Sequence, residues 1–269
     1  MRGPVVSTPA WLRAYLAGDH LLEAVVQRVR GVWDGVWLGL LDEGRLARLD
    51  QHYYDGEAVY RTEAHNRRGL FHWEEHVVAA HLRPGCSVVV TGAGGGREVL
   101  ALLARGFDVT GYEPNRELAA VGSAFTAADG HGERVLPSGR TGWPGGRADA
   151  VLLGWGSYML VPSRARRVAL LRAASAATGG TGPVVLSYFP MPADRRQFRA
   201  AARVAAPLRR LRRREPVLVG DALTPNFAHH FTRGQVLEEL RLAGLEAVET
   251  GTGDYGWAVA RGVAQREER

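Results

Sequence analysis

Residues 88–100 read VVVTGAGGGREVL, and this stretch decides the fold. The β-branched run at residues 87–91 is typical of a buried parallel strand. It leads directly into the glycine turn at residues 92–96 and then into a helical pattern at residues 97–105. Glycine lets the backbone turn sharply and lets a ligand approach main-chain atoms closely. A Gly-rich turn alone predicts only a tight connection, whereas this strand–turn–helix order predicts a ligand-binding turn.

Strands and helices alternate regularly beyond the glycine turn. Predicted strands cover residues 107–112, 134–137, 149–153 and 183–188, and helical patterns cover residues 115–127 and 163–177. Such alternation predicts a parallel sheet with right-handed crossovers. The tail differs, because a helical pattern is followed by two strands that a Gly-rich turn joins. These last three elements are predicted at residues 232–243, 245–250 and 255–263.

The remaining segments add helices at the N-terminus and one insertion. Residues 9–49 carry apolar side chains at helical spacing, and residues 71–82 form another helical pattern. We therefore predict an N-terminal helical cap, or lid, over residues 1–69. An α/β domain is predicted over residues 70–269, with an insertion at about residues 190–231.

Composition narrows the class of protein. The net charge is +6, and the sequence has arginine but no lysine, which excludes Schiff-base chemistry and a P-loop lysine. A single cysteine, Cys86, excludes an internal disulfide and a cysteine-cluster metal site, and it fits a reducing cytoplasm. No apolar run reaches about 18 residues, and the N-terminus is a poor signal peptide. We therefore expect a cytoplasmic protein without membrane contact.

Glu113 follows the second predicted strand, about twenty residues after the glycine turn. An acidic side chain at this place accepts hydrogen bonds from both ribose hydroxyls of an adenosine ligand. The alternative is an ordinary surface glutamate. The glycine turn upstream favours the ribose role, because the two features together form one binding motif.

Three further features favour S-adenosylmethionine over a dinucleotide. The turn reads GxGxG, and Arg97 stands where a dinucleotide fingerprint has its last glycine. The chain then ends in a helix and two strands. After the fourth strand, residues 154–158 read GWGSY, a small and aromatic loop at the sheet edge where ligands bind.

These stretches resemble class I S-adenosylmethionine-dependent methyltransferases, over about residues 70–263. Residues 88–115 resemble their motif I and the acidic loop that follows it. Residues 149–174 resemble their strand-four segment, and residues 184–189 and 231–250 resemble their fifth strand and last helix–strand pair. The resemblance implies an α/β, Rossmann-like fold with a seven-stranded mixed sheet, a C-terminal hairpin and an N-terminal helical cap. It also implies S-adenosyl-L-methionine as the cofactor.

The resemblance assigns cofactor contacts as well. It implies that Glu113 binds the ribose hydroxyls and that Trp155 faces the cofactor. It implies further that the turn lines the methionine and ribose portion, through Gly92, Ala93, Gly94 and Gly96. Two features depart from the family pattern. Val90 stands where many members carry an acidic residue, and no adenine contact is evident in residues 134–146.

A polar, aromatic segment before the α/β domain supplies the candidate substrate contacts. We predict that Tyr54, His65, Asn66 and Arg67 bind substrate as part of a lid. The alternative is that the tyrosines of this segment pack the cap onto the core with their hydroxyls in water. If the acceptor is a carboxylate, Arg67 or Arg68 is the expected clamp.

Three side chains are candidates for a catalytic general base. His229 and His230 precede the last helix and Tyr158 follows the fourth strand, so we expect all three near the sheet edge where a methyl acceptor lies. Histidine suits general-base catalysis at neutral pH, and a structural histidine pair is the alternative. Two adjacent histidines without a third ligand are a poor zinc site, so no metal is expected.

The leading functional prediction is O- or N-methylation of a small-molecule or peptide acceptor, in natural-product biosynthesis. An RNA methyltransferase is one alternative, because residues 208–215 read LRRLRRRE. A solvated helix face is the favoured interpretation of such a run, and no RNA-binding module is recognisable, so a nucleic-acid partner is not expected. A catalytically silent cofactor-binding protein is a further alternative. The acceptor and the oligomeric state stay open.

Overall fold

The structure is a computed structural model, and it describes residues 9–139 and 146–263. At its centre, β1 (Ser87–Thr91) pairs in parallel with β2 (Asp108–Glu113) on one side and β4 (Ala150–Leu153) on the other. The last four residues of β1 are buried, because both faces of a central parallel strand are covered. The strand predicted at residues 87–91 is confirmed.

Four further strands complete one mixed sheet: β3 (Val135–Pro137), β5 (Val184–Tyr188), β8 (Leu245–Gly251) and β9 (Gly256–Gly262). The strand order is β3-β2-β1-β4-β5-β9-β8, and β9 runs antiparallel to both of its neighbours. The order of the parallel strands reverses between β1 and β4. In open α/β sheets such a reversal marks a ligand-binding crevice at the carboxyl ends of the strands. The predicted Rossmann-like, seven-stranded mixed sheet with a C-terminal hairpin is confirmed.

Helices account for most of the remaining chain. They are α1 (Ala10–Leu40), α2 (Glu43–Gly56), α3 (Glu63–Asn66), α4 (His72–His81), α5 (Arg97–Leu103), α6 (Arg116–Ala128), α7 (Arg164–Ala177), α8 (Arg196–Leu211) and α9 (Arg233–Leu242). Local capping sets several of their starts, as at α9, where Thr232 and Gln235 form a capping box. Two short strands, β6 (Asp221–Leu223) and β7 (Phe227–His229), form a separate pair. Within the described residues, no helix is both long and apolar enough to cross a membrane.

The chain divides into two compact units. The first comprises residues 1–41 and 192–222, and the second comprises residues 42–191 and 223–269. Helix α1 belongs to the first unit, whereas α2 and α3 belong to the second. The cap boundary at residue 69 stays a prediction. The N-terminal helical segment therefore contains two structurally separate parts.

In the first unit, α1 packs on α8 through glycines. An added Cβ at Gly31 would lie 2.5 Å from the carbonyl oxygen of Gln197, and one at Gly35 would lie 2.6 Å from that of Ala201. At Gly39 it would meet the side chain of Leu208 at 2.7 Å. These three glycines, four residues apart, let the two helices approach at backbone distance. Because the numbers rise together along both helices, α1 and α8 run parallel.

Two arginines of the basic run serve the end of α1. The Nε–H of Arg209 donates to the carbonyl oxygen of Leu38 at 2.8 Å, and Nη1 of Arg214 donates to that of Leu40 at 3.0 Å. The last carbonyls of a helix have no partner within the helix, and cations are favourable near them. The run is thus partly a helix-capping device rather than a free cationic patch.

Candidate functional site

The glycine turn between β1 and α5 holds a backbone that side chains resist. Gly92, Gly94 and Gly96 have φ angles of +66°, +55° and +94°, in the left-handed region that favours glycine. A Cβ added at Gly92 would lie 2.4 Å from Cβ of Ser157. One added at Gly94 would meet no atom within 4 Å. Gly92 is therefore required by packing, whereas Gly94 faces open space.

Glu113, the last residue of β2, lies against this turn. The backbone N–H of Gly94 donates to its Oε2 at 2.8 Å, and that of Asn115 donates to its Oε1 at 2.8 Å. The side chain is only 7% exposed, and burial raises the pKa of Glu113 to about 7, although these two hydrogen bonds oppose the rise. A carboxylate offers about four acceptor positions, so two stay available to a ligand.

A cavity of about 380 Å³ opens at the carboxyl ends of β1, β2 and β4. Its volume lies within the range of small-molecule sites, about 300–1,000 Å³. The glycine turn and Glu113 form one side of it. Its other lining residues include Asp50, Tyr53, Tyr54, Tyr60, Trp155, Arg166, Phe189, Asn226 and Ala228.

Helix α2 contributes tyrosines and an aspartate to the cavity, and polar pairs hold it to the core. Each pair joins an acidic residue of α2 to a side chain of the α/β core. The pairs are Asp50 with Asn226 at 2.7 Å, Asp55 with Asn115 at 2.9 Å, and Glu43 with Arg166. The Tyr54 ring also contacts the Tyr60 ring at a centroid distance of 5.5 Å. One wall of the cavity is therefore built from a helix outside the Rossmann-like sheet.

A buried cluster of charged side chains lies at the start of α5, directly after the glycine turn. Arg97, only 3% exposed, binds both carboxylate oxygens of Glu74 at 2.7 Å each and Oε1 of Glu98 at 2.9 Å. The same Glu98 oxygen accepts a hydrogen bond from the backbone N–H of Trp155 at 2.8 Å. The arginine that replaces a fingerprint glycine thus links α4, α5 and the loop after β4. This cluster fixes the backbone of Trp155 beside the cavity.

Four of the six predicted cofactor residues line the cavity: Gly92, Gly94, Glu113 and Trp155. The other two do not. Ala93 is 2% exposed and belongs to the core, and Gly96 caps the start of α5. Val90 is fully buried within β1, which agrees with its apolar character. No adenine contact is evident in the sequence of residues 134–146, and residues 140–145 of this segment lie outside the described residues.

The structure corrects the expectation for Tyr158, which does not reach the cavity. Its side chain is fully buried, and its hydroxyl donates to Oε2 of Glu239 at 2.5 Å. Arg167 binds the same carboxylate at 2.7 and 2.9 Å. Burial and then the charge of Glu239 raise the pKa of Tyr158 well above its usual range. Because a 3-10 turn at Ser157–Leu160 directs this side chain into the core, Tyr158 is a packing residue.

The two histidines differ sharply in their surroundings. His229 is fully buried, and its ring packs on Phe231 at a centroid distance of 4.4 Å. His230 is partly exposed, and its ring lies 5.6 Å from that of Phe189, which lines the cavity. Neither histidine lines the cavity itself, although Ala228 does. Since alternate residues of an extended segment point to the same side, His230 shares the side of Ala228.

Only one of the four predicted substrate residues, Tyr54, lines the cavity. Asn66 is buried and donates to the backbone carbonyls of Tyr60 and Thr62. Arg67 binds Asp129 through two hydrogen bonds of 2.8 Å each. His65 packs edge-on against Tyr60, and burial, with the positive charges of Arg97 and Arg68, lowers its pKa. Asn66 and His65 therefore hold the segment after α2 together, whereas Arg67 joins it to Asp129 at the end of α6.

Several cavity residues escaped the sequence analysis. Asp50, Arg166, Phe189 and Asn226 line the cavity, yet no motif singles them out. Asp50 and Asn226 are 176 residues apart in the chain, so no local spacing signals their pairing. Within residues 9–139 and 146–263, no group of three or more His, Cys, Asp or Glu side chains is placed to hold a metal ion.

No protein-family model and no curated protein matches the sequence. Solved structures do match it. An S-adenosylmethionine-dependent methyltransferase from Methanosarcina mazei is 16% identical, and the match covers 72% of this chain and 99% of that chain with a TM-score of 0.57. The 1,6-didemethyltoxoflavin N1-methyltransferase of Burkholderia thailandensis is 17% identical, with coverage of 98% and 93% and a TM-score of 0.51. That structure contains 1,6-didemethyltoxoflavin and S-adenosylhomocysteine.

A third similar structure is mitomycin 7-O-methyltransferase. It is 17% identical over 70% of this chain, with a TM-score of 0.50. The match covers 52% of that protein, so this chain spans about half of its length. The similarity to all three structures lies in the fold. The chain therefore has the fold of the class I S-adenosylmethionine-dependent methyltransferases.

Proposed function

We propose that the chain is an S-adenosylmethionine-dependent methyltransferase that acts on a small-molecule acceptor. The observation that carries this proposal is the pairing of Gly94 with Glu113 at the edge of a 380 Å³ cavity. This pairing stands at the switch point of a sheet with the methyltransferase strand order. A glutamate with a purely structural role would not need to be buried beside a glycine that has a left-handed backbone and open space around it.

The described residues fit the cofactor. Glu113 has two acceptor positions left after its bonds to the turn, which suits a pair of ribose hydroxyls. The open space at Gly94 admits a ligand against the main chain. Trp155 presents a partly exposed ring to the same cavity. We assign these three residues to cofactor binding, with Gly92 as the packing residue that shapes the turn.

When bound, S-adenosylmethionine supplies an electrophilic methyl group, and an in-line displacement transfers it to the acceptor. The protein contributes alignment and a water-poor pocket. Here α2 supplies tyrosines on one side of the cavity, and Phe189 and Ala228 supply apolar surface elsewhere. Both features favour a small acceptor that fits inside over a peptide chain.

For a hydroxyl or ammonium acceptor, a base must remove one proton. We assign this role to His230, because it is partly exposed and packs on a cavity-lining ring. Its neighbour His229 is fully buried and is assigned to the core. A carboxylate acceptor would need no base. The carboxylate clamp predicted at Arg67 is disfavoured, since Asp129 already occupies both arms of its guanidinium group.

The two alternative functions receive less support. RNA binding was inferred from the basic run, but two of its arginines cap the end of α1. A silent cofactor-binding protein would share the cofactor side of the cavity, so only activity separates it from an enzyme.

Titration calorimetry with S-adenosylhomocysteine tests the proposal directly. We expect one site per chain in the parent and weaker binding in Glu113→Ala. The matched control is Glu133→Ala, which removes an exposed glutamate that is not part of the cavity. Absence of binding in the folded parent would overturn the proposal. A screen with isotope-labelled S-adenosylmethionine and small hydroxyl and amine acceptors then separates an enzyme from a silent binder.

A further inference from the structure

Helix α1 carries a second apolar face, on the side away from the glycines that pack on α8. Large side chains on this face are exposed to solvent in the part of the chain that the structure describes, with 71% exposure at Trp11, 63% at Leu22 and 64% at Val29. The exposed apolar residues of this face are Trp11, Tyr15, Leu22, Val25, Val29 and Val32. So much exposed apolar surface in a continuous stripe is unusual for a monomer and marks an interaction site.

The spacing of this face is that of a coiled coil. With Gly18 included, its members recur at alternating intervals of four and three residues from Trp11 to Val32. Apolar residues at such heptad positions over three or more heptads indicate helix–helix pairing. The stretch is about 30 Å long at 1.5 Å per residue. It lies mostly before Gly31, where contact with α8 begins.

The charges on α1 favour a second copy of the same helix. Its charged residues balance, with three arginines and three acids: Arg13, Arg28, Arg30, Asp19, Glu23 and Asp34. A helix that lies on an anionic membrane is normally rich in basic residues on its polar face, and α1 has no such excess. The middle part of α1 is acidic at Asp19 and Glu23, and the part after it is basic at Arg28, while Arg30 pairs with Asp34 of the same helix at 3.1 Å. Two antiparallel copies would therefore bring opposite charges level with each other.

We propose that α1 pairs antiparallel with α1 of a second copy of this chain, across a two-fold axis near residues 24 and 25. In this register, Asp19 of one copy lies within one helical turn of Arg28 of the other. The aromatic end at Trp11 and Tyr15 lies level with Trp33 and Trp37, which are also exposed. The contact is the same patch on both copies, as two-fold symmetry requires. The chain is then a homodimer joined through its first structural unit.

Light scattering after size exclusion tests the dimer, whose mass is expected to be twice 29.2 kDa. The double variant Val25→Glu with Val29→Glu places two carboxylates on the proposed interface and is expected to be monomeric. The matched control Ala17→Glu with His20→Glu adds the same charge on another side of the same helix, and it is expected to stay dimeric. Circular dichroism and thermal unfolding confirm that both variants fold. A monomeric parent, or equal masses for both variants, would overturn the proposal.

Cysteine cross-linking tests the direction of pairing. Position 25 stands near the two-fold axis, so Val25→Cys is expected to form a disulfide between the two copies on air oxidation. In an antiparallel pair, position 11 of one copy stands far from position 11 of the other, so Trp11→Cys is expected not to form such a disulfide. The native Cys86 is buried, so it contributes little background. Cross-linking at both positions indicates parallel pairing and overturns the antiparallel register, and cross-linking at neither contradicts the interface.

Discussion

The two sides of the cavity are built in different ways. The side that we propose binds the cofactor comes from one short stretch of chain, in which the glycine turn and Glu113 are joined by a backbone hydrogen bond of 2.8 Å. The side that we propose binds the acceptor is assembled from side chains far apart in sequence, such as Tyr54, Phe189 and Asn226. A site made by local backbone geometry leaves a motif in the sequence. A site made by converging side chains leaves none, so its specificity must be established from structure.

The largest effect expected on the cofactor side is that of Gly94→Val. A side chain there would fill the open space that a ligand needs. We expect S-adenosylhomocysteine binding to become undetectable by calorimetry while the protein stays folded. The control is Gly130→Val, because Gly130 has a similarly left-handed φ of +82° and no neighbour within 4 Å of an added Cβ. It shares the backbone strain but does not line the cavity. Equal loss of binding in both variants would show that strain, not occlusion, is responsible.

On the acceptor side, the largest effect is expected from His230→Ala. Loss of a general base lowers turnover by about 100-fold or more. Cofactor affinity should be kept, because His230 packs on Phe189 and does not line the cavity beside Glu113. Steady-state kinetics with an acceptor from the proposed screen would measure both.

His229→Ala serves as the contrast to this variant. Because His229 is fully buried against Phe231, its removal should lower the thermal midpoint more than the turnover of the remaining folded enzyme. If His229→Ala instead lowers turnover about 100-fold with cofactor affinity kept, and His230→Ala does not, the assignment of the two histidines is reversed.

A smaller effect is expected from Glu113→Ala. Loss of charge-assisted hydrogen bonds to the ribose should weaken S-adenosylhomocysteine binding by about 1–3 kcal/mol, or roughly 5- to 150-fold. In Glu113→Ala, the acceptor KM measured at saturating cofactor should change little, because the proposed ribose and acceptor sites lie on different sides of the cavity. Calorimetry and kinetics together measure the contrast. If Glu113→Ala changes the acceptor KM but not the cofactor affinity, the assignment of Glu113 to the cofactor side of the cavity is wrong.

The fold was readable from sequence because its signals are local. The strand at residues 87–91 and the C-terminal hairpin follow from β-branched runs and glycine turns, and both are present. Tyr158 shows where this reasoning stops. Its position after β4 placed it at the sheet edge, but its partner Glu239 lies 81 residues away. The direction of a side chain in a short turn depends on such distant partners, which no local pattern reveals.

The insertion shows the same limit. Its basic run predicted a solvated helix face or an anion site, whereas two of its arginines bind the carbonyls of Leu38 and Leu40. That pairing depends on the contact between α1 and α8, which glycines of α1 permit. Glycine spacing in α1 was present in the sequence as Gly31, Gly35 and Gly39. Its partner helix was not identifiable without the structure.

A pH dependence of stability is also expected from Glu113 alone. Burial raises its folded-state pKa from 4.5 to about 7. A raised pKa means that the folded protein holds the proton more tightly than the unfolded chain. The stability that this group contributes is therefore fully present below about pH 4.5 and is lost as the pH rises through 7. The shift corresponds to the order of 3 kcal/mol for the cofactor-free protein.

Cofactor binding should show the opposite slope, because ribose hydroxyls donate to the ionised carboxylate. From pH 6 to pH 8, we expect the affinity for S-adenosylhomocysteine to rise by less than about tenfold, as Glu113 loses its proton. Thermal midpoints at several pH values, with and without ligand, measure both slopes in one experiment. Glu113→Gln, which cannot ionise, should flatten both of them. If the parent and this variant keep parallel pH profiles, another group titrates, and the cofactor side of the cavity does not owe its pH response to this buried carboxylate.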